Sequence, residues 1–287
     1  MKPTSPLEPV LAHVRAEPSR TWSIIISFFG DAIVPRGGSV WLGTLLAFFK
    51  GMQVGESVVR SAVSRLTAEE WLSRTKIGRH SYYHLAERGR ETFARAARRI
   101  YHPSHQTWQN QFEAVMVEGA APDCIAALLQ AGYGAALPGL FIAPGGTQIP
   151  PLGQGAVTLK LGGTPEDLKK LAAKAWNLAE LAVLYERFCE VFGPLQQALR
   201  RGVVLSASEA MLARVLLIHE YRRIALRDPL LPAEILPLAW TGDQAQILCA
   251  EIYAQLLPPS ERWLDENAQG EDAQPLPPNQ EVYKRFS

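Results

Sequence analysis

Apolar and polar positions follow a helical period along residues 55–70 and then switch to a strand period. In the helical part the apolar residues recur at intervals of three and four, which places them on one face of a helix. Those residues are Val59, Ala62, Val63 and Leu66. The other face carries short polar or cationic side chains, namely Ser57, Arg60, Ser61 and Ser64, with Arg65 near its edge. The pattern predicts a helix that packs by its apolar face and leaves the polar face in solvent.

A hairpin pattern follows this helix. Trp71-Leu72 opens a strand, residues 76–79 form a tip with Gly78 in the tight turn, and residues 82–85 return. Donor side chains gather around the tip: Arg74, Lys76, Arg79 and His80. A polar helix followed by a basic hairpin is the order of a winged helix–turn–helix, in which arginine and serine pair with base edges or phosphates. The alternative is a surface amphipathic helix followed by a hairpin with solvated charges.

Further helices are predicted on both sides of this segment. Residues 1–20 are rich in proline and are predicted to be loose. Trp22–Gly30 is apolar nearly all round and predicts a buried helix. A second helix is predicted over Val40–Lys50, with Ser39 as its N-cap. The arginine-rich helix predicted over Glu87–Ile100 is interpreted as a solvated connector rather than a phosphate contact.

The middle of the chain mixes strand and helix patterns. Strands are predicted over Phe112–Val117, Leu137–Ala143 and Ala156–Leu161, with a helix at 122–131 between the first two. The last helix of this middle segment is predicted to begin after Thr164. Thr164 is its predicted cap, and proline follows at the first helical position, where it is favoured. The order β-α-β-β-α predicts a small split-βαβ sandwich of the ferredoxin-like kind.

From Trp176 onward the pattern is helical. Helices are predicted over 176–199, over 209–226 with Ser206 or Ser208 as the cap, and over 245–257. After Pro258-Pro259 the composition becomes polar and rich in proline, and residues 265–287 are predicted to be mostly disordered.

These patterns predict an α+β chain with three domains and a tail. The predicted parts are a winged-helix DNA-binding domain at 20–100, a ferredoxin-like middle domain at 106–175, a helical C-terminal domain at 176–260 and a flexible tail at 261–287.

Charge is distributed unevenly along the chain. Residues 1–100 hold 15 Lys+Arg and 8 Asp+Glu, a balance of +7, while the whole chain has 29 and 28, so the remainder has −6. Positive charge concentrated in one domain indicates nucleic-acid binding, and it confines the predicted contact to the N-terminal third.

Composition argues against several other classes of protein. No apolar run approaches the ~20 residues of a membrane span, and no signal peptide is evident, so a cytoplasmic protein is expected. The three cysteines have no CxxC spacing, His102 and His105 lack further ligands, and no cofactor or metal is predicted. Neither GxSxG nor HExxH occurs, so the chain is predicted not to be an enzyme. The alternatives are a nucleic-acid-processing enzyme built on the middle domain and a protein-binding adaptor.

Two segments resemble the PaaX family, the repressors of phenylacetate catabolism. Residues 55–89 read GESVVRSAVSRLTAEEWLSRTKIGRHSYYHLAERG, and residues 216–242 read LLIHEYRRIALRDPLLPAEILPLAWTG. The second is the more specific, and the resemblance extends over approximately residues 19–260. Two departures are that Glu70 stands where the family usually has glycine before Trp-Leu, and that Trp240-Thr241-Gly242 stands where Trp-Pro-Gly is expected.

The resemblance implies a homodimer bound to a partly palindromic double-stranded operator. It also implies that an aryl-CoA thioester, phenylacetyl-CoA, is the effector that releases the DNA. The apolar helices after Trp176 are the candidate dimer interface, unless they only form the core of their own domain.

Candidate effector-binding residues lie in the C-terminal third. The guanidinium groups of Arg222, Arg223 and Arg227 could meet the CoA phosphates. Apolar Trp176 or Trp240 could line the pocket for the aryl ring. The alternative is that these arginines satisfy helix carbonyls and pair with Asp228, Glu220 or Glu234 in a structural network.

Overall fold

The computed structural model describes residues 5–17, 19–103, 107–117, 119, 122–152 and 155–286. Contacts divide the chain into two compact units. The first unit contains the chain up to His102, Arg187–Leu226 and the residues from Gln244 onward; the second contains Pro103–Glu186 and Arg227–Asp243. This division differs from the predicted three domains, because residues 176–260 are shared between the units.

The first unit begins with helices and a short strand. Its elements are α1 (Glu8–Ala16), α2 (Thr21–Phe28), β1 (Ser39–Trp41), α3 (Leu42–Gly51), α4 (Glu56–Ala68), β2 (Leu72–Ile77), β3 (His80–Leu85) and α5 (Glu87–Tyr101). Two predictions were wrong here. Part of the N-terminal segment forms α1 because Leu7 and Val10 are buried, and Ser39 and Val40 belong to a strand rather than to a helix start.

Strand β1 completes a three-stranded antiparallel sheet in the order β1-β3-β2. Val40 pairs with Tyr83 of β3, and Arg74 of β2 pairs with the same residue from the other side. Helix α4 packs against α2 and α3. Three helices and this sheet therefore surround one apolar core.

The rest of the first unit is helical. It includes the end of α8 (Leu178–Arg200), α9 (Ala207–Ala225) and most of α10 (Gly242–Asn267). Helix α9 begins with a capping box between Ser206 and Glu209 and is buried nearly all round between Ala210 and Ile218. Ser206 or Ser208 was predicted to cap this helix, and the structure confirms Ser206.

The predicted flexible tail is ordered, so that prediction was wrong. Helix α10 continues through Pro258-Pro259 to Asn267, and a 3₁₀ turn covers Gln280–Lys284. The ring of Phe286 lies 5.2 Å from that of Tyr101 and 5.4 Å from that of Tyr253. A polar composition indicated disorder, whereas the buried side chains of Leu276 and Val282 and the ring contacts of Phe286 hold the segment.

A buried charge network joins these C-terminal residues to the start of the chain. The fully buried Asp31 accepts hydrogen bonds from Arg214 Nε at 2.6 Å, Arg285 Nη1 at 2.7 Å and Tyr101 Oη at 2.7 Å. Burial alone would raise the pKa of this carboxyl group, but the two guanidinium groups and the hydroxyls of Tyr101 and Tyr253 outweigh it and lower the pKa. Asp31 is therefore ionised and paired.

The second unit is an antiparallel sheet with helices. Its elements are β4 (Phe112–Met116), α6 (Pro122–Gln130), β5 (Gly134–Leu137), β6 (Leu140–Pro144), β7 (Val157–Leu161), α7 (Pro165–Trp176) and the start of α8, and the strand order is β5-β6-β4-β7. A single strand was predicted over Leu137–Ala143. The structure has a hairpin there, in which β5 and β6 are joined by a turn at Gly139 with φ +76°. Thr164 caps α7 through the N–H of Asp167, as predicted.

Among the residues described, no helix is long and apolar enough to cross a bilayer, and no group of three or more potential ligands could hold a metal ion.

Candidate nucleic-acid interface

Helix α4 has the two faces that its sequence predicts. Val59, Ala62, Val63 and Leu66 are buried, each 9% exposed or less. The five polar residues predicted for the opposite face are all exposed: Ser57, Arg60, Ser61, Ser64 and Arg65. Gly55 precedes the helix and provides no side-chain cap. Among the described residues, no side-chain hydrogen bond from the N-cap satisfies the N–H groups of the first turn, a feature that the sequence pattern did not indicate.

The two arginines of this face are held differently. Arg65 Nε donates to Glu69 Oε1 at 2.7 Å, and its guanidinium lies 5.6 Å from the ring centre of Trp22 on α2. Arg60 has a looser contact, 3.4 Å from Nη2 to Glu56 Oε2, between two exposed side chains. Exposed pairs of this kind contribute little, so Arg60 can exchange its partner at small cost.

The hairpin carries its cations on exposed positions. Arg74 donates to Ser81 Oγ from Nε and Nη2, at 3.1 and 2.8 Å, and the ring of His80 lies edge-on to Trp41 at 5.1 Å. Lys76 and Arg79 are both exposed, on either side of the turn. These two cations at the turn therefore remain available to an external anion.

The entrance to the hairpin has an unusual backbone conformation. Glu70 has φ +58°, in the left-handed region that favours glycine. The adjacent Trp71 donates its N–H to Leu66 O at 2.9 Å, and its ring lies under the guanidinium of Arg88 at 5.4 Å. The family resemblance leads us to expect glycine at position 70, and the positive φ explains that preference. In this chain Glu70 adopts the same left-handed conformation.

The predicted effector residues are divided between the two units. Arg222 and Arg223 lie on α9 in the first unit, whereas Arg227, Trp176 and Trp240 belong to the second. Neither unit alone therefore brings the five together.

Each of these residues has local partners. Arg223 Nη1 pairs with Glu220 Oε2 at 3.1 Å, and Arg227 Nη2 pairs with Glu180 Oε1 at 2.5 Å. Trp176 packs on Gly134, where a Cβ would lie 2.5 Å from its ring, and Trp240 lies 5.5 Å from the ring of Tyr185. The alternative of a structural ion-pair network therefore accounts for Arg223 and Arg227, but with Glu180 in place of Asp228 as the partner of Arg227.

Comparison with known proteins places the chain in a family. A family model described as PaaX-like protein matches residues 20–89, and one described as PaaX-like protein C-terminal domain matches residues 176–266. The chain is also similar to "Transcriptional repressor PaaX" of Escherichia coli (strain K12), with 32% identity over 304 aligned positions that cover 98% of this chain and 95% of that protein. The exposed helix and basic hairpin thus lie in a protein of the transcription-regulator class. The chain belongs to the PaaX-like family.

Proposed function

We propose that the protein is a DNA-binding transcriptional repressor of a phenylacetic acid catabolism operon. The observation that carries this proposal is the 32% identity, over nearly the whole of both chains, to a protein named as a transcriptional repressor. The separation of α4 into a buried apolar face and an exposed polar face supports it, because that division is what a groove-reading helix requires. In this proposal the chain is a regulator and not an enzyme.

The proposed DNA-binding domain is a winged helix–turn–helix made of α2, α3 and α4 with the sheet β1-β3-β2. Helix α4 enters the major groove with Ser57, Arg60, Ser61, Ser64 and Arg65 facing the bases and the flanking phosphates. The hairpin β2-β3 is the wing, and Lys76 and Arg79 at its tip meet a phosphate backbone. Arg74 and His80 lie beside the tip and would reach phosphate after exchanging their present contacts with Ser81 and Trp41.

The second unit is proposed to be a ferredoxin-like domain. Its strand order and antiparallel pairing are those of a split-βαβ sheet. It departs from that fold in the place of α7, which follows β7 instead of preceding it.

We propose further that the repressor is a homodimer and that phenylacetyl-CoA is its effector. Binding of the effector would release the operator. The residues that the sequence proposes for its site are Arg222, Arg223, Arg227, Trp176 and Trp240, of which only Arg222 and Arg223 lie in the first unit. A tenfold loss of DNA affinity requires about 1.4 kcal/mol of coupling between the two ligands, and the DNA must weaken effector binding by the same factor.

The proposal is tested by fluorescence anisotropy with the DNA upstream of the protein's own gene. We expect specific binding that weakens with salt and is reversed by phenylacetyl-CoA. The same DNA incubated with the protein and Mg²⁺ should remain intact. Failure to prefer this DNA over a scrambled duplex would overturn the repressor function, and metal-dependent cleavage would instead favour a DNA-processing enzyme.

A further inference from the structure

An apolar cavity of about 120 Å³ lies within the first unit between α2, α5 and α9. Its walls include Ile26, Phe93, Ala97, Ile100 and Ile218. Phe93 and Ala97 are only partly buried, so the cavity reaches the surface along α5. An apolar cavity of about 150 Å³ can bind benzene, and this space is therefore of the size that one aromatic ring fills.

One cationic side chain lines this cavity without an ion pair to any described residue. Arg222 donates from Nε to Ser27 Oγ at 2.7 Å and from Nη2 to Ser23 Oγ at 2.9 Å and Ser23 O at 3.1 Å. Within the described chain it has no carboxylate within 4 Å, and Nη1 has no hydrogen-bond partner. The other arginines of α9, Arg214 and Arg223, are both paired with acids.

Burial, and then the nearby charge of Arg223, lowers the pKa of Arg222 to about 10. Tyr101 and Glu220 act in the opposite direction and raise it. The group is still charged at neutral pH, so a cation without an ion pair and with a free donor lies at the edge of an apolar space. Asp31 also lines the cavity, but its carboxylate is already bound by Arg214 and Arg285. An entering anion would meet the unpaired guanidinium of Arg222.

We propose that this cavity binds a single aromatic ring that carries a short oxygenated arm, and that an oxygen of the arm accepts a hydrogen bond from Arg222 Nη1. A free aryl acid and the acyl group of an aryl thioester share this chemistry. The assignment gives Arg222 a role apart from Arg223 and Arg227, and it moves the ring site away from Trp176 and Trp240.

The cavity also touches the elements of the proposed DNA-binding domain. Ile26 and Gly30 belong to α2 and its π-helical continuation, α2 packs against α4, and Trp71 lies directly before the hairpin. A bound ring would therefore contact the elements that position α4 and the hairpin β2-β3. This regulatory consequence rests on the proposed function, whereas the binding of the ring does not.

The binding is tested by calorimetry on the full chain with three probes: phenylacetate, phenylacetyl-CoA and ethylbenzene, which has the ring but no oxygen. Ala97→Leu fills the cavity and should weaken phenylacetate or phenylacetyl-CoA at least tenfold. Ala94→Leu, an exposed position on the same helix, is the matched control and should bind as the wild type does. Arg222→Met should abolish the preference for phenylacetate over ethylbenzene, whereas Arg15→Met, at an exposed arginine of α1, should retain it.

The outcomes distinguish a free aryl acid from an aryl thioester as the ligand. They also distinguish failure of the cavity assignment from failure of the proposed repressor function. Binding of phenylacetate assigns the site to the free acid, and binding of phenylacetyl-CoA alone assigns it to the thioester. Absence of binding by both, or binding that Ala97→Leu leaves unchanged, overturns the cavity assignment. If Ala97→Leu does not fold, the anomalous signal of bromine in crystals soaked with 4-bromophenylacetate decides, because the bromine must lie between α2, α5 and α9. Operator affinity is measured separately, so loss of the repressor function would leave the result for the cavity intact.

Discussion

At the scale of single residues, His219 is a buried base that is neutral at ordinary pH. Its Nδ1 lies 2.9 Å from Ser27 Oγ, and Glu220 Oε1 is 3.8 Å from Nε2. Burial and the positive charges of Arg222 and Arg223 lower its pKa from 6.5 to about 3, and the nearby carboxylate of Glu220 does not offset them. The unfolded chain therefore binds a proton at this residue at a higher pH than the folded chain does.

The sign of the pH effect on stability follows from this depressed pKa. The stabilising contribution is complete above pH 6.5 and is lost as the pH falls toward 3. We expect the free energy of unfolding to drop by about 1 kcal/mol between pH 7 and pH 5.5 on account of His219. Urea unfolding at both pH values measures the drop. His219→Asn should reduce it, while the exposed control His102→Asn should leave it unchanged; equal drops in all three proteins would contradict the assignment.

A second prediction concerns the strained backbone at Glu70. A left-handed conformation destabilises a residue with a Cβ by about 1–2 kcal/mol. Glycine removes this strain, but its greater entropy in the unfolded chain offsets part of the gain. We expect Glu70→Gly to raise the free energy of unfolding by about 0.5–1 kcal/mol, measured by urea denaturation. Glu69→Gly is the control, because residue 69 has φ −85° and gains nothing from glycine. A loss of stability in Glu70→Gly would mean that side-chain contacts outweigh the strain.

At the scale of elements, α4 is the candidate reading helix, and Arg60 is its most available long side chain. We expect Arg60→Ala to weaken operator binding by about 1–3 kcal/mol and to relax the preference at one base position. Competition assays with single-base variants of the operator measure both effects. Arg15→Ala is the matched control, since Arg15 is also an exposed arginine paired with a glutamate of its own helix. Wild-type affinity and selectivity in folded Arg60→Ala would remove Arg60 from the interface.

The hairpin should act through charge rather than sequence. Replacing both Lys76 and Arg79 with alanine should weaken all duplexes alike and lower the slope of log affinity against log salt by about one unit per lost contact. The control is Lys170→Ala with Lys174→Ala in the second unit, which changes the net charge equally. Salt titrations compare the two double variants. Loss of operator binding alone, with the slope retained, would show that the hairpin reads bases.

Local patterns predicted the elements whose signal lies within the element itself. The faces of α4, the turn at Gly78 and the cap at Thr164 each depend on residues a few positions apart, and all three are present. Strand β1 was missed because three residues have no period, and only pairing with β3 defines them. The exposure of the candidate site residues could be predicted in the same way, whereas the contact of Arg74 with Ser81 across the hairpin could not.

At the scale of the whole molecule, the parts missed from the sequence depend on distant partners. Arg285 was assigned to a disordered tail because its neighbours are polar, but its guanidinium reaches Asp31, 254 positions away in sequence. Likewise α9, considered as a possible dimer surface, buries its apolar residues from Ala210 to Ile218 in the first unit. Burying an ionised network and an apolar helix together ties residues from both ends of the chain into one unit, an arrangement that no local pattern indicates.

The last prediction concerns the assembly on DNA. One recognition helix reads only a few base pairs, so a two-fold dimer would place two α4 helices in successive major grooves, about 34–36 Å apart. Because α9 is used in the core, the dimer surface must be elsewhere. We expect sedimentation to show two chains per operator. Inserting about 5 base pairs between the half-sites should weaken binding strongly, because it turns one site to the opposite side of the duplex, whereas about 10 base pairs should restore part of the affinity. A monomer on DNA at micromolar protein, or indifference to the spacing, would exclude the two-fold arrangement.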